Sequence, residues 1–183
     1  MALTESTMLE LGTTVPDFAL KDVVTRKTVR RDDFLGQKGL LVMFICTHCP
    51  YVKHIEKGIA QLGSDYSGRL GIVAISSNDA QNYPDDSPEG LKKQAERLGF
   101  VFPYLYDETQ SVARAFDAAC TPDIYLFDKD LKLAYRGQFD GARPGNNVPV
   151  TGQDLRAALD AVLRGEKPGA DQKASIGCNI KWK

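Results

Sequence analysis

The sequence predicts an α/β fold: a central mixed β-sheet flanked by helices, with a hairpin extension on the N-terminal side and a tail on the C-terminal side. Three observations predict it. Two continuous apolar runs, Leu40 to Ile45 and Leu70 to Ser76, read as strands buried on both faces. Between them Val52, Ile55, Ile59 and Leu62 recur at spacings of three and four, the stripe of an amphipathic helix. Strand, helix, strand makes a right-handed crossover. Two later alternating runs, 123–127 and 131–138, flank Asp128-Lys129-Asp130 as a hairpin, so the sheet mixes both strand senses.

The other elements follow in order. Residues 15–35 read as a short hairpin, with Phe18 and Leu20 alternating with polar neighbours and a second run around Val29; Gly36 to Gly39 then turn. Pro50 suits the first turn of the central helix, where its missing N–H is no loss. Residues 78–88 are polar, carry Pro84, Asp85 and Asp86, and read as an exposed loop. Ser87 caps the next helix, with Pro88 at its first position and Glu89 near its positive end. Leu91, Ala95 and Leu98 face the core from that helix. Tyr104–Tyr106 reads as a short strand, Val112 and Phe116 as a short helix, and Leu155, Ala158, Leu159, Val162 and Leu163 as a last amphipathic helix. After Gly165 the chain turns polar and rich in Gly and Pro, then ends on an apolar, thiol-bearing stretch from Ser175 to Lys183.

The 183 residues suit a single domain, with a core over about 10–165 and a tail over 166–183. An apolar content of 43% and a charged content of 26% suit a core that folds without disulfide staples. A net charge of −1, with both signs interspersed, gives no pull toward nucleic acid or an anionic membrane. No apolar stretch approaches the roughly 18 residues that span a bilayer. The opening residues lack a basic, then apolar, leader pattern, so a cytoplasmic protein is expected. No G-x-G-x-x-G follows a strand and nothing suggests haem or flavin, so no cofactor is expected.

The chemistry-bearing residues are the cysteines Cys46, Cys49, Cys120 and Cys178. Cys49 falls at a strand-to-helix junction, where unpaired helix N–H groups stabilise a thiolate. Lys53 lies one turn on and adds positive charge. A free thiol is only about 3% ionised at pH 7, whereas one shifted to about 6 is roughly 90% ionised. His48 adjoins the thiol and can titrate nearby. Cys46 and Cys49 form a C-x-x-C, a redox signature after a strand, although Cys46 also fits as an inert small hydrophobe. A zinc site would need two further ligands from His48, His54, Cys120 or Cys178, and no metal is expected. Thr121-Pro122 precedes an apolar strand, which suits either a cis peptide in a tight turn or an ordinary proline opening a strand. Cys178 reads equally as a resolving thiol on a tail that folds back and as filler beside Ile176, Ile180 and Trp182.

Over about 10–165 the chain resembles the redoxin group: thioredoxin-like proteins, peroxiredoxins and their bacterial relatives. The resemblance rests on Val15-Pro16-Asp17-Phe18, Gly39 to Pro50, Thr121-Pro122 and Tyr125 to Asp128. It implies a thioredoxin-like fold and thiol redox activity. Laying Leu41 to Ile45 on the thioredoxin central strand puts Cys49 at that family's nucleophilic cysteine. His48 then stands at the tryptophan before it, and Val52 at the second cysteine. Cys49-Pro50 also resembles the Cys-Pro of peroxiredoxins, with Cys46 at the place of a peroxide-orienting threonine. Thr121-Pro122 resembles the family's cis-proline turn, which packs beside the nucleophile and pairs with extended substrates. The peroxiredoxin arginine near that turn is replaced by Cys120 or Thr121, and Arg143 would have to reach the thiol from another loop. A narrower peroxiredoxin-like group shares Cys46 to Val52, Asp140 to Asn146 and Ile176 to Trp182.

The resemblance therefore implies a nucleophile at Cys49, resolved by Cys46 or Cys178, with substrate contacts from Thr121, Pro122, His48 and Arg143. Thiol–disulfide exchange with a disulfide protein or a low-molecular-weight thiol reductant is the leading expectation. Peroxide reduction is the alternative, and a redox-silent binding module the third reading. The fold also allows a homodimer.

Overall fold

The computed structural model describes residues 3–183; Met1 and Ala2, the first positions of the expected domain, lie outside the described residues. The chain begins with strand β1 (Leu3–Glu5), then the hairpin β2 (Ala19–Asp22) and β3 (Thr28–Arg30). The crossover follows as β4 (Gly39–Phe44), α1 (Pro50–Tyr66) and β5 (Gly71–Ser76). Helix α2 (Pro88–Leu98), strand β6 (Tyr104–Tyr106) and helix α3 (Ser111–Ala115) come next. Strands β7 (Cys120–Thr121), β8 (Asp123–Asp128) and β9 (Leu133–Arg136), helix α4 (Gln153–Leu163) and strand β10 (Ile176–Asn179) complete it.

The main sheet has seven strands in the order β3-β2-β6-β5-β4-β8-β9. Strand β4 pairs in parallel with β5, Leu41 opposite Ile72, and antiparallel with β8, Leu41 opposite Leu126. Both β4 and β5 are buried along their whole length, because helices cover both faces. Alternate side chains divide between the faces. Leu41, Met43 and Leu126 pack against Val52, Ile59 and Leu62 of α1, Leu91 of α2 and Leu159 of α4. Leu40, Val42, Phe44 and Phe127 pack against Val112 of α3 and Phe116 just after it on the other side. No helix among the described residues is long and apolar enough to cross a membrane.

Local signals explain most ends. Pro50 opens α1, and the Ser87 hydroxyl accepts from the Gly90 N–H to cap α2, which closes on Gly99 in the left-handed region. A short 3-10 helix over Arg31–Phe34 precedes the turn at Gly36, and Gly39 already belongs to β4.

Two regions differ from the sequence reading. The 78–88 segment is solvated only in part: Gln81 to Asp85 are exposed as expected, but Asn78, Asp79 and Asp86 are buried, and Pro84–Asp86 forms a 3-10 turn. Those three side chains turn inward because backbone and side-chain donors are waiting there. The tail is also more structured than its composition suggests. Strand β10 runs between β1 and β7 in a second, three-stranded sheet, with Cys178 opposite both Leu3 and Thr121. Ile180 is buried beneath it, whereas Trp182 stays 38% exposed under the Arg114 guanidinium.

Candidate thiol active site

The carboxyl ends of β4 and β5 converge on the site, as is usual for an α/β sheet. Beyond β4, Cys46 and Cys49 lead into α1; Cys49 is the residue before its first turn. The peptide between Thr121 and Pro122 is cis and lies against both cysteines. The Cys49 sulfur is 3.3 Å from the Thr121 carbonyl oxygen, and the Cys46 sulfur 3.5 Å from the Thr121 hydroxyl. Strand β10 delivers Cys178, whose sulfur is 2.6 Å from that of Cys49. None of the four cysteines is in a disulfide in this structure. Cys46, Cys49 and Cys178 are 1%, 0% and 2% exposed, so no external molecule touches them with the tail in place.

The three sulfurs share protons unequally. The Cys49 thiol is drawn down to about 4, first by a hydrogen bond from Cys46, against burial, and further by Cys178, Thr121 and the Val52 backbone N–H. Cys46 is pushed up well above the thiol range by holding its proton toward Cys49, by burial and by the Asp86 charge. Burial and the same bonding to Cys49 push Cys178 up to about 12. Cys49 is thus the most readily ionised of the three sulfurs. The helix N-terminus contributes through Val52, as the sequence suggests, but Lys53 is exposed and takes no part. Val52 itself, at the family's second-cysteine position, is a buried core residue. Cys120 is also buried, its thiol proton held tightly by burial and by Asp123.

His48 lies beside Cys46, with a ring nitrogen within 4.8 Å of that sulfur. Its Nδ1 pairs with Asp86 and its ring stacks on Tyr83, 5.4 Å between centroids. Asp86, 0% exposed, also accepts from the Thr47 N–H at 2.7 Å, the Thr47 hydroxyl at 2.6 Å and the Asn78 amide at 2.9 Å. These bonds fasten the Cys46–Cys49 turn to the 78–86 segment. Asn78 in turn accepts from the Lys181 N–H at 2.8 Å, so the same segment holds the tail. From the other side, the Gln94 amide of α2 donates to the Cys46 carbonyl at 3.1 Å. Asp86, Asn78 and Gln94 carry no motif; Asn78 alone has a sequence signal, since it follows a buried strand next to the one that leads to Cys46.

Cys46, His48 and Asp86 each offer a potential metal-ligand atom within 4.8 Å of the others. A structural zinc site takes four ligands, and both Asp86 oxygens are already hydrogen-bonded. His54, raised as a ligand by sequence, is exposed on α1. Arg143 does not reach the sulfurs; its guanidinium binds its own loop and lines a small pocket with Pro122.

Comparison with known proteins fits this arrangement. The AhpC/TSA family model matches residues 11–136. The chain belongs to the AhpC/TSA family. It is 30% identical to the thiol-disulfide oxidoreductase ResA of Geobacillus thermodenitrificans over 132 residues, 71% of this chain and 70% of that one. An uncharacterized conserved protein from Geobacillus kaustophilus is similar over all of this chain and 97% of its own, with 55% identity and a TM-score of 0.97. A thioredoxin-like protein solved in its oxidised form, 21% identical, covers 87% of this chain and all of its own at a TM-score of 0.69. The AhpC/TSA chain has the thioredoxin-like fold that this likeness describes.

Proposed function

We propose that this protein is a thiol–disulfide oxidoreductase in which Cys49 attacks and Cys178 resolves. The observation that carries the reading is the 2.6 Å approach of the two sulfurs; their surroundings draw the Cys49 thiol down and push the Cys178 thiol up. The Cys49 thiolate attacks one sulfur of a substrate disulfide. The electron pair of that S–S bond leaves on the other sulfur, which takes a proton from water. Cys178 then attacks Cys49 in the mixed disulfide, loses its proton and expels the second thiol. Two protein thiols become one disulfide, and one substrate disulfide becomes two thiols; the reverse run reduces the protein.

Partners are therefore thiol or disulfide proteins, or small thiols, in keeping with the activity named for the ResA relative. Strand β10 occupies the edge of β7 beside Pro122, where an extended substrate would pair, and it seals all three sulfurs. The tail must lift for exchange and return to resolve it. Peroxide reduction is the weaker reading. Its transition state sheds hydroxide, which calls for a cationic donor, and the Cys49 thiolate is held by thiols and a backbone N–H with no cation among them.

The test is oxidation of the reduced protein with one equivalent of a disulfide or of hydrogen peroxide, quenched in time and mapped by peptide mass. A Cys49–Cys178 bridge formed faster by the disulfide is expected, absent in Cys49→Ser. Faster bridging by peroxide would make the protein a peroxidase. A Cys49 inert to both would leave the binding module.

A further inference from the structure

The segment from Asp140 to Asn146 takes no part in the exchange, yet it holds an arginine beside it. Buried Asp140 folds the segment: Oδ1 accepts from the Ala142 N–H at 2.9 Å, and Oδ2 from the N–H groups of Thr151 and Gly152, both at 2.7 Å. That carboxylate is spent on backbone donors and forms no ion pair with Arg143. The Arg143 Nη1 donates to the carbonyls of Asp140 and Ala142, both at 2.8 Å, and Nη2 donates to Gln138 Oε1 at 2.7 Å. All three acceptors are neutral. Among the described residues, no carboxylate forms an ion pair with this guanidinium. Five N–H groups are present in a guanidinium, so two remain, together with a partly buried charge that only an anion would neutralise. Locking a loop needs the hydrogen bonds but not that charge.

Arg143 lines a small pocket with Tyr51, Ile55, Pro122 and Ile176, and with Asp140, whose carboxylate is taken up by the backbone donors named above. Tyr51 lies two residues after Cys49, Pro122 follows Thr121, and Ile176 lies two residues before Cys178. Two residues of extended chain span roughly 6.6 Å, so the pocket is about that far along the tail strand from the resolving cysteine.

We propose that Arg143 forms a carboxylate-binding subsite of the thiol site, and that the substrates are small thiols and disulfides bearing a carboxylate about two residues from sulfur. The proposal rests on the exchange reading above. Such a molecule takes the place of Ile176 to Cys178 when β10 lifts, its sulfur at Cys49 and its carboxylate on the two remaining N–H groups of Arg143. The exchange then runs as written above, with the same bonds and protons.

Glutathione disulfide is a suitable charged probe, and its tetraethyl ester the matched neutral one. The reduced protein should show a KM for the acid at least about tenfold below that for the ester, in line with a charge-assisted bidentate contact. Arg143→Gln should raise KM for the acid to the level of the ester, and Arg143→Lys should keep part of the preference. No preference in the wild type, or an equal loss toward both probes in Arg143→Gln, overturns the proposal and leaves Arg143 a loop lock. If the wild type reacts with neither probe, the exchange reading falls, and binding without chemistry decides the subsite. Calorimetry of S-methylglutathione and its diethyl ester on Cys49→Ser should then show binding of the acid alone, lost with Arg143→Gln; no such selectivity overturns it.

Discussion

Cys49 and Cys178 are 129 residues apart in sequence, and their sulfurs are 2.6 Å apart in the fold. The tail strand makes that meeting, and one small residue lets the strand approach. A Cβ on Gly177 would fall 1.9 Å from the Thr121 carbonyl oxygen and 3.2 Å from Pro122 Cδ. The obstacle is backbone, so the strand itself would have to move. Gly177→Ala should therefore displace Cys178 without touching a sulfur. We expect bridging of Cys49 to Cys178 to slow by about tenfold, as for a cost of ~1.4 kcal/mol, and Cys49 to alkylate faster. Unchanged bridging and alkylation would mean the strand tolerates the methyl group and does not set the approach.

Cys46 is assigned a different task. It supplies the largest pull on the Cys49 thiol, holding its own proton toward that sulfur. Removing it in Cys46→Ala should raise the Cys49 pKa while leaving the Cys49–Cys178 bridge able to form. The thiolate's ultraviolet absorbance, followed against pH, reads this directly. Exchange should slow most in mildly acidic solution, by about tenfold for each unit of upward shift, and least above neutrality. A loss of bridging that is equal at all pH values would instead make Cys46 a resolving thiol.

The sheet and the strand-to-helix junction that carries Cys49 were legible in the sequence because they rest on local signals. Leu40 to Ile45 is long and apolar enough to be a strand buried on both faces, and Pro50 marks the start of α1 with Cys49 just before it. The partner of Cys49 was not decided, since Cys46 and Cys178 each had a spacing or a tail in their favour. The pairing of Cys178 with Thr121 across two strands is what brings the tail thiol to Cys49, and no local pattern predicts it. Asp86 was lost for a related reason. Beside Asp85 and Pro84 it reads as solvated, and its burial depends on donors from Thr47 and Asn78 that no local pattern predicts. Arg143 stands out in the sequence through its motif, but its acceptors lie in its own loop rather than at the thiol.

Asp123 follows the cis-proline directly and is 0% exposed. Burial raises its carboxyl from 3.8 to about 6, against the N–H groups of Ala119 and Cys120 that favour the ionised form. The folded state therefore holds this proton more tightly than the unfolded chain. The resulting stability is fully present below about pH 4 and is lost as pH rises through about 6, leaving a buried charge at neutrality. A gap of about two units corresponds to ~3 kcal/mol. Asp123→Asn keeps an oxygen for the Ala119 N–H and carries no charge at any pH. Relative to the wild type, it should gain stability between pH 4 and pH 7, by up to ~3 kcal/mol. Comparing the two proteins at each pH cancels the opposite trend from Asp86, whose carboxyl is held low by its donors. Denaturant unfolding of both proteins across that range measures the gain. A difference that stays flat with pH would mean that Asp123 is ionised in the fold and that its backbone donors outweigh its burial.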